Sequence, residues 1–494
     1  MTDMGYSSDY EVYLTQHNGI QIVTNELSLQ LLKEMRSHEV SPTEIAFVLN
    51  IPKSTIQGNI AKLLRMGIVE SQVRIDDARS AVYHIEAMLL FSSYAGEDWQ
   101  LYARVASVKR IMSNGRCTAR EDLSLYGVSL MESGFNITQG LFNVGVALTR
   151  GTFDSSWWDV ILGGISTQCA LDDIEVDLDT SETLTLTFRS EKEDISDIPL
   201  ILVPMLGALR AHSKVLIGHN LSHEIQLSIE ERGHLVRLCV DQFEGQDYEA
   251  DYDSNPYGSF RADEPFAIYS INGRAMLFTN PTMMGLLDTL SERDQSLNEL
   301  ERSMRIPKAT IYASVMKLIS IGAVEINEGS GSPKRYTLVA DPILYITDPE
   351  PGGESRLGEI VSEFQAGRLD YYSAVISYSL QAIGCMGIHF DKMFMRAGKN
   401  TALTVLALDT IEPQDFVDLA CNMVSGPDNA EITTYLPIRI RLFLSKNTLW
   451  EAWPADFVMG FLNEGLHQLL GFDYPVTIET VHEGYADIVV LKNC

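Results

Sequence analysis

The side chains best suited to chemistry in this sequence are basic and amide groups spaced along one stretch near residue 53. Lys53, Lys62 and Arg65 can each neutralise a phosphate, and the amide of Gln57 can form two hydrogen bonds with the edge of an adenine. Apolar residues recur between them at every third or fourth position, which predicts a helix with the polar side chains on its outer face. This composition is typical of a helix that enters the major groove of DNA.

The same pattern returns in the second half of the chain. The stretch NIPKSTIQGNIAKLLRMGIVE at 50–70 is matched by RIPKATIYASVMKLISIGAVE at 305–325. Pro52 and Pro307 are 255 residues apart, and so are Gly67 and Gly322. Because a fixed offset of about half the chain indicates a repeated unit, we predict an internal duplication.

Both copies, with the hairpins that follow them, supply the predicted DNA contacts. The predicted DNA-binding residues are Lys53, Ser54, Thr55, Gln57, Lys62, Arg65, Arg74 and Arg79 in the first copy, and Lys308, Thr310, Tyr312, Lys317, Lys334 and Arg335 in the second. Because Tyr312 stands in the place of Gln57, we expect an asymmetric or imperfectly palindromic DNA site. Whether the second copy reads bases or only holds the DNA backbone is left open.

Three helices and a hairpin must position these residues. Asn25 is a good N-cap for the first helix, and Ser41 with Glu44 three residues later fits a capping box for the second. The third helix begins near Pro52 and ends at Gly67, a residue type common at helix ends because it adopts left-handed backbone angles. A strand-like hairpin follows, so the order is that of a winged helix-turn-helix domain. The second copy repeats each of these signals.

The bulk composition bounds the class of protein. A chain of 494 residues is too long for one core, and 45% hydrophobic with 21% charged residues is ordinary for a globular protein. No apolar run reaches the length of a membrane span, and the N-terminus lacks the apolar core of a signal peptide. The six cysteines are scattered without a CxxC pair, which argues against disulfides and thiolate metal sites. We therefore expect a cytoplasmic protein with no membrane partner.

The net charge of −30 is distributed unevenly along the chain. Residues 25–90 contain 7 basic and 8 acidic side chains, and residues 280–340 contain 7 of each. The acidity therefore lies outside the repeated segments, where it would keep DNA away from the rest of the protein.

The two repeated segments resemble the ArsR-like winged-helix DNA-binding domains of prokaryotic regulators. The resemblance is carried by the opening of the third helix, KSTI at 53–56 and KATI at 308–311, and by its exit, KLLRMGIVE at 62–70 and KLISIGAVE at 317–325. It implies a transcriptional regulator with double-stranded DNA as its partner.

The regions after each winged helix are similar to 4-vinyl reductase-type sensor domains, a fold shared with trafficking-complex (TRAPP) subunits. The stretches that carry this similarity are FDKMFMRAGKNT, FVMGFLNEGLHQLLG and PVTIETVHEGYADIVVL. The pairing of winged helix and sensor resembles a group of regulators best known from methanogens, although tandem copies in one chain depart from their usual single-copy dimer. The closing hairpin of that family often contains cysteines, whereas here it has none, which argues against a cysteine-based switch.

We predict an α+β protein in which two winged helix-turn-helix domains alternate with two larger α+β ligand-sensor-like domains. The predicted divisions are 1–24 (N-terminal segment), 25–92 (winged helix-turn-helix 1), 93–243 (sensor-like domain 1), 244–265 (acidic linker), 266–345 (winged helix-turn-helix 2) and 346–494 (sensor-like domain 2). Within the sensor-like domains we expect one helix over 357–382 and single strands over 173–190 and 431–445.

A sensor domain implies a ligand pocket, and the candidate ligand class is a hydrophobic small molecule. The candidate pocket residues are Phe135, Phe142, Trp157, Trp158, Phe390 and Phe394. Ordinary packing of these residues in a core or a dimer interface is the alternative, and a homodimer of two chains is left open.

The sequence offers no catalytic arrangement, because it lacks a nucleophile–base pair, a phosphate-binding glycine loop and a dinucleotide fingerprint. His219, His223 and His234 lie near one another in sequence, but a helix end before them argues against a metal site. We therefore expect no enzyme activity, no cofactor and no metal.

The function expected is that of a sequence-specific DNA-binding transcriptional regulator. It would be pseudo-dimeric within one chain, with sensor domains that control the spacing of the two DNA heads. The alternative is a non-DNA-binding scaffold protein that uses both domain types for protein–protein contacts.

Overall fold

A computed structural model represents the chain. It describes residues 9–15, 18–35, 40–73, 81–93, 98–132, 134–135, 137–149, 175–179, 184–190, 200, 202–204, 207, 220–230, 233–243, 265–272, 274–327, 334–346, 353–388, 391–423, 430–435, 437–443, 453–471, 476–482 and 485–490. The architecture is α+β, with helices and several small sheets, as predicted.

The chain divides into two compact units. Unit 1 combines Met1–Tyr94, Phe260–Glu350 and Met386–His389, and unit 2 combines Ala95–Ser259, Pro351–Cys385 and Phe390–Cys494.

Residues 9–93 of unit 1 form head 1. Its elements are β1 (Glu11–Thr15), β2 (Gly19–Val23), α1 (Glu26–Met35), α2 (Pro42–Val48), α3 (Lys53–Met66), β3 (Val69–Val73), β4 (Ala81–Ile85) and β5 (Met88–Ser92). The central strand β1 pairs antiparallel with both β2 and β5, while β3 and β4 form the wing hairpin. Strands β1 and β2 lie before the predicted division at residue 24, yet they belong to the same sheet as β5.

Residues 265–346 of unit 1 form head 2. Its elements are β10 (Phe266–Ile271), β11 (Arg274–Phe278), α7 (Pro281–Glu292), β12 (Gln295–Ser296), α8 (Leu297–Met304), α9 (Lys308–Ser320), β13 (Val324–Asn327), β14 (Arg335–Leu338) and β15 (Asp341–Ile346). The sheet order β11-β10-β15 matches that of head 1. Gln295 in β12 pairs with Tyr336 in the wing, and head 1 has a single bridge between Val40 and Tyr83 in the same place. The two heads therefore share one order of elements.

Local sequence explains where the helices of both heads begin and end. At α2 the Ser41 hydroxyl accepts from the Glu44 N–H, and the Glu44 carboxylate accepts from the Ser41 N–H at 2.7 Å. Ser296 and Glu299 form the same capping box at α8. Helix α3 ends at Gly67, which adopts a left-handed φ of 73°. These predicted caps and stops are confirmed.

Unit 2 contains the elements outside the heads. Its helices are α4 (Asp98–Asn114), α5 (Ala119–Glu132), α6 (Ile137–Thr149), α10 (Gly353–Gln365), α11 (Tyr371–Gly384), α12 (Asp391–Leu408), α13 (Pro413–Asn422) and α14 (Trp453–Leu470). Its strands are β6 (Glu175–Asp179), β7 (Leu184–Ser190), β8 (Asn220–Glu230), β9 (Gly233–Phe243), β16 (Ala430–Tyr435), β17 (Ile438–Phe443), β18 (Val476–His482) and β19 (Tyr485–Val490). No helix in the described part of the chain is long and apolar enough to cross a membrane.

The strands of unit 2 form two four-stranded antiparallel sheets of the same design. Their orders are β6-β7-β9-β8 and β16-β17-β19-β18. The prediction of single strands over 173–190 and 431–445 was wrong, because each stretch is a hairpin. In the second hairpin Pro437 lacks a backbone N–H and cannot continue the ladder. The matching orders agree with an internal duplication, which itself stays a prediction.

The prediction of one helix over 357–382 was also wrong. Helix α10 ends at Gln365, and Gly367 then adopts a left-handed φ of 68°. Helix α11 begins after Asp370, whose carboxylate accepts a 3.1 Å hydrogen bond from the Ser373 N–H. Apolar periodicity continues across this break, so periodicity alone could not reveal it.

Helices α12 and α14 cross with their backbones in contact. A Cβ at Gly398 would lie 2.0 Å from the Phe457 carbonyl oxygen, and one at Gly460 would lie 1.9 Å from the Met395 carbonyl oxygen. Because no side chain fits, glycine is required on both helices at this crossing.

Helices from both halves of the chain share one core in unit 2. The Tyr126 ring of α5 stacks on the Phe394 ring of α12 with centroids 5.7 Å apart. Nearby, Arg104 Nε donates a 3.0 Å hydrogen bond to Thr404 Oγ1. The core around the first-half helices α4 and α5 is therefore formed in part by the second-half helix α12.

Candidate nucleic-acid interface

Helix α3 divides its residues between the core of head 1 and the solvent. Ile56, Ile60 and Leu63 are buried and belong to the same hydrophobic core as residues of α1. The predicted contact residues Lys53, Ser54, Thr55, Gln57, Lys62 and Arg65 are all exposed. The helix thus presents a polar face to solvent, as its periodicity predicted.

Lys53 is positioned by the helix before it. Its Nζ donates a 2.8 Å hydrogen bond to Thr43 Oγ1 in the first turn of α2. Helix α3 begins at Pro52 without a side-chain cap, so amides of its first turn are left for water or an anion. An ammonium group beside the positive end of a helix is suited to binding a phosphate.

Arg65, near the end of α3, is held differently. Its Nε donates a 3.2 Å hydrogen bond to the carbonyl oxygen of Ala61 on the same helix. Its own carbonyl oxygen accepts a 3.3 Å hydrogen bond from Asn18 Nδ2 in the turn between β1 and β2. The sheet of head 1 therefore contacts the end of the helix that carries the predicted DNA contacts.

Helix α9 repeats this arrangement in head 2. Its buried residues are Ile311, Val315 and Leu318. Lys308 Nζ donates to Asn298 Oδ1 in the first turn of α8, and α9 begins at Pro307 without a side-chain cap. The predicted contact residues Lys308, Thr310, Tyr312, Lys317, Lys334 and Arg335 are all exposed. The lysine and the uncapped helix start are therefore common to both heads.

The outer face of head 2 contains a groove that has a volume of about 490 Å³. It lies between α9, the first turn of α8 and the wing. Its apolar lining comes from Tyr312, Met316 and Ile326, which are 49%, 40% and 37% exposed. Lys308 and Lys334 also line it. The groove is thus mainly apolar, and its lining also contains two lysines and the polar side chains of Ser296 and Asn298.

Head 1 has a different surface at the corresponding positions. Gln57, Ala61 and Ser71 stand 255 residues before the three apolar groove residues of head 2. Of these three, Tyr312 was predicted from the sequence, whereas Met316 and Ile326 were not. The available signal was their apolar type at positions that helix and strand periodicity direct outward.

Tyr336 of β14 also lines the groove and is largely buried. Burial raises the pKa of its hydroxyl, and the nearby Tyr312 adds to this effect. The hydroxyl therefore stays protonated at neutral pH.

Arg335 braces the wing of head 2 against α8. Its Nη1 donates to the Asp294 carbonyl oxygen at 2.6 Å, and its Nη2 lies 3.2 Å from Glu299 Oε1. The hydrogen bond from the Ser296 backbone, with a smaller contribution from Arg335, lowers the pKa of Glu299. Of the other predicted wing contacts, Arg74 and Arg79 lie outside the described residues.

The candidate sensor pocket is described only in part. Phe135 is buried, and Phe394 is fully buried against Tyr126 and Trp453, 5.2 Å from the latter ring centroid. Phe142 lies in α6, and Trp157, Trp158 and Phe390 lie outside the described residues. The described contacts are those of core packing, and the pocket stays a prediction.

The candidate interface thus consists of two exposed third helices with equivalent lysines and different outer faces. Comparison of the chain with protein-family models, curated proteins and solved structures finds no match.

Proposed function

We propose that this chain is a sequence-specific DNA-binding transcriptional regulator that carries two DNA-reading heads on one polypeptide. The observation that supports this best is the exposure of both third helices. Each buries one apolar face in its own head and leaves its lysine-bearing face open to solvent. An element kept exposed with an ordered lysine at its start is suited to an anionic partner.

The charge distribution supports the same proposal. The segments that contain the heads are nearly neutral in a chain of net charge −30. DNA would be repelled by the acidic remainder and attracted to the local basic groups, so only the heads would engage it.

In the proposed complex, α3 enters the major groove with its first turns against base edges. Gln57 forms a bidentate contact with adenine, and Lys53 contacts a backbone phosphate. Helix α9 occupies a second half-site about one helical turn away. There Tyr312 and Met316 would contact apolar groups such as the thymine methyl.

The proposed regulation acts through unit 2. A hydrophobic ligand or a partner that binds one arrangement of unit 2 more tightly would favour the head spacing that goes with it. The shared core supports coupling between the two sensor-like halves, because Tyr126 and Phe394 come from different halves of the chain.

A second candidate function is favoured by the apolar groove of head 2. Exposed Tyr312, Met316 and Ile326 are residue types found in the buried centres of protein–protein interfaces. In this alternative, head 2 and the sensor-like domains make protein contacts, and the chain acts as a scaffold.

A gel-shift titration with the upstream region of the protein's own gene tests the proposal. The variants are Lys53→Glu, Lys308→Glu and the double variant. The control is Lys33→Glu, which makes the same charge change at an exposed position on α1. We expect each replacement of a lysine in the proposed interface to lower the affinity for DNA. Each should also reduce the slope of log affinity against log salt by about 1.

The outcomes separate the candidates. Binding by the double variant equal to that of the wild type would refute the assigned surface. Loss with Lys53→Glu alone, and none with Lys308→Glu, would assign DNA to head 1 and favour protein contacts for head 2. Equal loss with Lys33→Glu would mean that the chain binds DNA through net charge only.

A further inference from the structure

A cluster of three potential metal ligands lies on the wing of head 1. Glu70 in β3 is directly opposite His84 in β4 in the antiparallel pairing. Glu86 follows His84 by two residues, which places both side chains on the same side of an extended chain. The three side chains therefore converge from two strands.

The distances suit a bound ion. One ligand atom of each residue lies within 4.8 Å of those of the other two, and His84 Nε2 lies 3.8 Å from Glu86 Oε2. Tetrahedral donors at about 2.1 Å from a zinc ion are roughly 3.4 Å apart. Small side-chain rotations would therefore complete the coordination.

The surroundings of His84 favour Nε2 as the ligand atom. Nε2 faces the Glu86 carboxylate, whereas Nδ1 is buried. The His84 and Glu86 side chains are 21% and 37% exposed, so an ion could enter from solvent and still be partly shielded.

We propose that Glu70, His84 and Glu86 bind a divalent transition-metal ion, for which Zn²⁺ is the best fit. One imidazole nitrogen with two carboxylates is a donor set that Zn²⁺ accepts and that Mg²⁺ and Ca²⁺ do not favour. The ion would neutralise two negative charges that the wing otherwise carries. This site does not depend on the proposed DNA-binding function.

Head 2 provides an internal control, because its wing has the same pairing with different residues. Glu325 pairs with Thr337 as Glu70 pairs with His84. Val339 follows Thr337 by two residues, as Glu86 follows His84. Head 2 therefore keeps one carboxylate and lacks the imidazole and the second carboxylate, so the proposed site belongs to head 1 alone.

Isothermal titration calorimetry of the chelator-treated full chain with Zn²⁺ tests the proposal. We expect one saturable site in the wild type. His84→Thr with Glu86→Val, which installs the residues of head 2, should weaken binding more than about 100-fold, since loss of two ligands exceeds the 10- to 100-fold effect of an outer-shell change. Glu70→Gln, which keeps the shape of the side chain, should also weaken binding.

The reciprocal variant guards against misfolding as an explanation. Thr337→His with Val339→Glu transfers the ligands to head 2 and should raise the stoichiometry from one Zn²⁺ to two. Thermal melts of all variants without metal check that each is folded. Absence of saturable binding in the wild type would overturn the proposal, and so would unchanged affinity in the folded His84→Thr/Glu86→Val variant.

Discussion

The two heads agree at the buried positions of their third helices and differ at several of the exposed ones. On the core side, Ile56 and Ile60 of head 1 correspond to Ile311 and Val315 of head 2, and all four are buried. On the outer side, polar Gln57 corresponds to Tyr312. The capping boxes and the lysine contacts are also common to both.

This contrast separates what the fold requires from what a ligand requires. Core positions are constrained by close packing, so volume and polarity must stay similar. Outer positions contribute little to stability and are free to change with the partner. The two heads thus share one order of elements, while α3 has a polar outer face in head 1 and α9 borders an apolar groove in head 2.

The largest expected effect should be equal in the two heads. Gly67 and Gly322 have φ values of 73° and 79°, and a Cβ on them would lie 2.9 Å and 3.1 Å from Asn18 Nδ2 and Asn272 Nδ2. Alanine at either position should destabilise its head by about 2 kcal/mol, because left-handed backbone angles and a close contact coincide.

Hydrogen exchange of amides in each head would measure these losses separately, because a melt of the whole chain would report both heads together. A loss in one head with none in the other would break the structural equivalence of the heads. Gly58→Ala is a suitable control, since its Cβ would meet no atom within 4 Å.

The next effect should differ between the heads. Gln57→Ala should weaken binding to the preferred DNA site by about 1.5 kcal/mol, roughly tenfold, and relax the base preference at one position. Tyr312→Ala should weaken binding with less change in base preference, because an apolar contact discriminates less than a bidentate amide. Competition binding against sites with single base changes measures both, and Gln30→Ala on α1 is the matched control. Equal relaxation by the two variants would contradict the division of roles.

A smaller effect on stability is expected at the turn that precedes the third helix of each head. Asn50 and Arg305 hold the same place in the two heads with φ of 53° and 55°. Because asparagine tolerates this conformation better than arginine, Arg305→Asn should stabilise head 2 by about 0.5–1 kcal/mol. Asn50→Arg should lower the stability of head 1 by a similar amount, and hydrogen exchange would again measure the change. Destabilisation by Arg305→Asn would mean that the arginine side chain makes a contact worth more than the strain.

The smallest effect concerns pH. The pKa of Glu299 is lowered from 4.5, chiefly by the Ser296 backbone N–H, so its charged form stabilises the start of α8. This stabilisation is present above pH 4.5 and should be lost as pH falls through the lowered pKa. Amide protection in the first turn of α8 should fall over that range in the wild type and stay flat in Glu299→Gln. Head 1 has Val82 in the place of Arg335, so its wing lacks the ion pair that Arg335 forms with Glu299 in head 2. A flat profile in the wild type would contradict the assignment.

Much of each head could be predicted from local sequence. Ser41 with Glu44 and Gly67 define helix limits through interactions within a few residues. Periodicity then divided α3 into buried and exposed faces. What local sequence could not supply was the pairing of β1 with β5, because the two strands are far apart in the chain.

The candidate sites follow the same rule. The exposed lysines of each third helix were predictable because they lie on a single element whose periodicity shows its outer face. The groove of head 2 was not, because Ile326 comes from a different element than Met316. The Glu70–His84 pair likewise depends on strand register, and a shift of one residue would separate the two side chains.

The shared core of unit 2 has a consequence for synthesis of the chain. Tyr126 cannot meet Phe394 until 268 further residues have been added. At roughly 5–20 residues per second, this takes tens of seconds, during which the part of α5 that packs against α12 is uncovered. The first half of a growing chain is therefore exposed to aggregation and to pairing with the second half of a neighbouring chain.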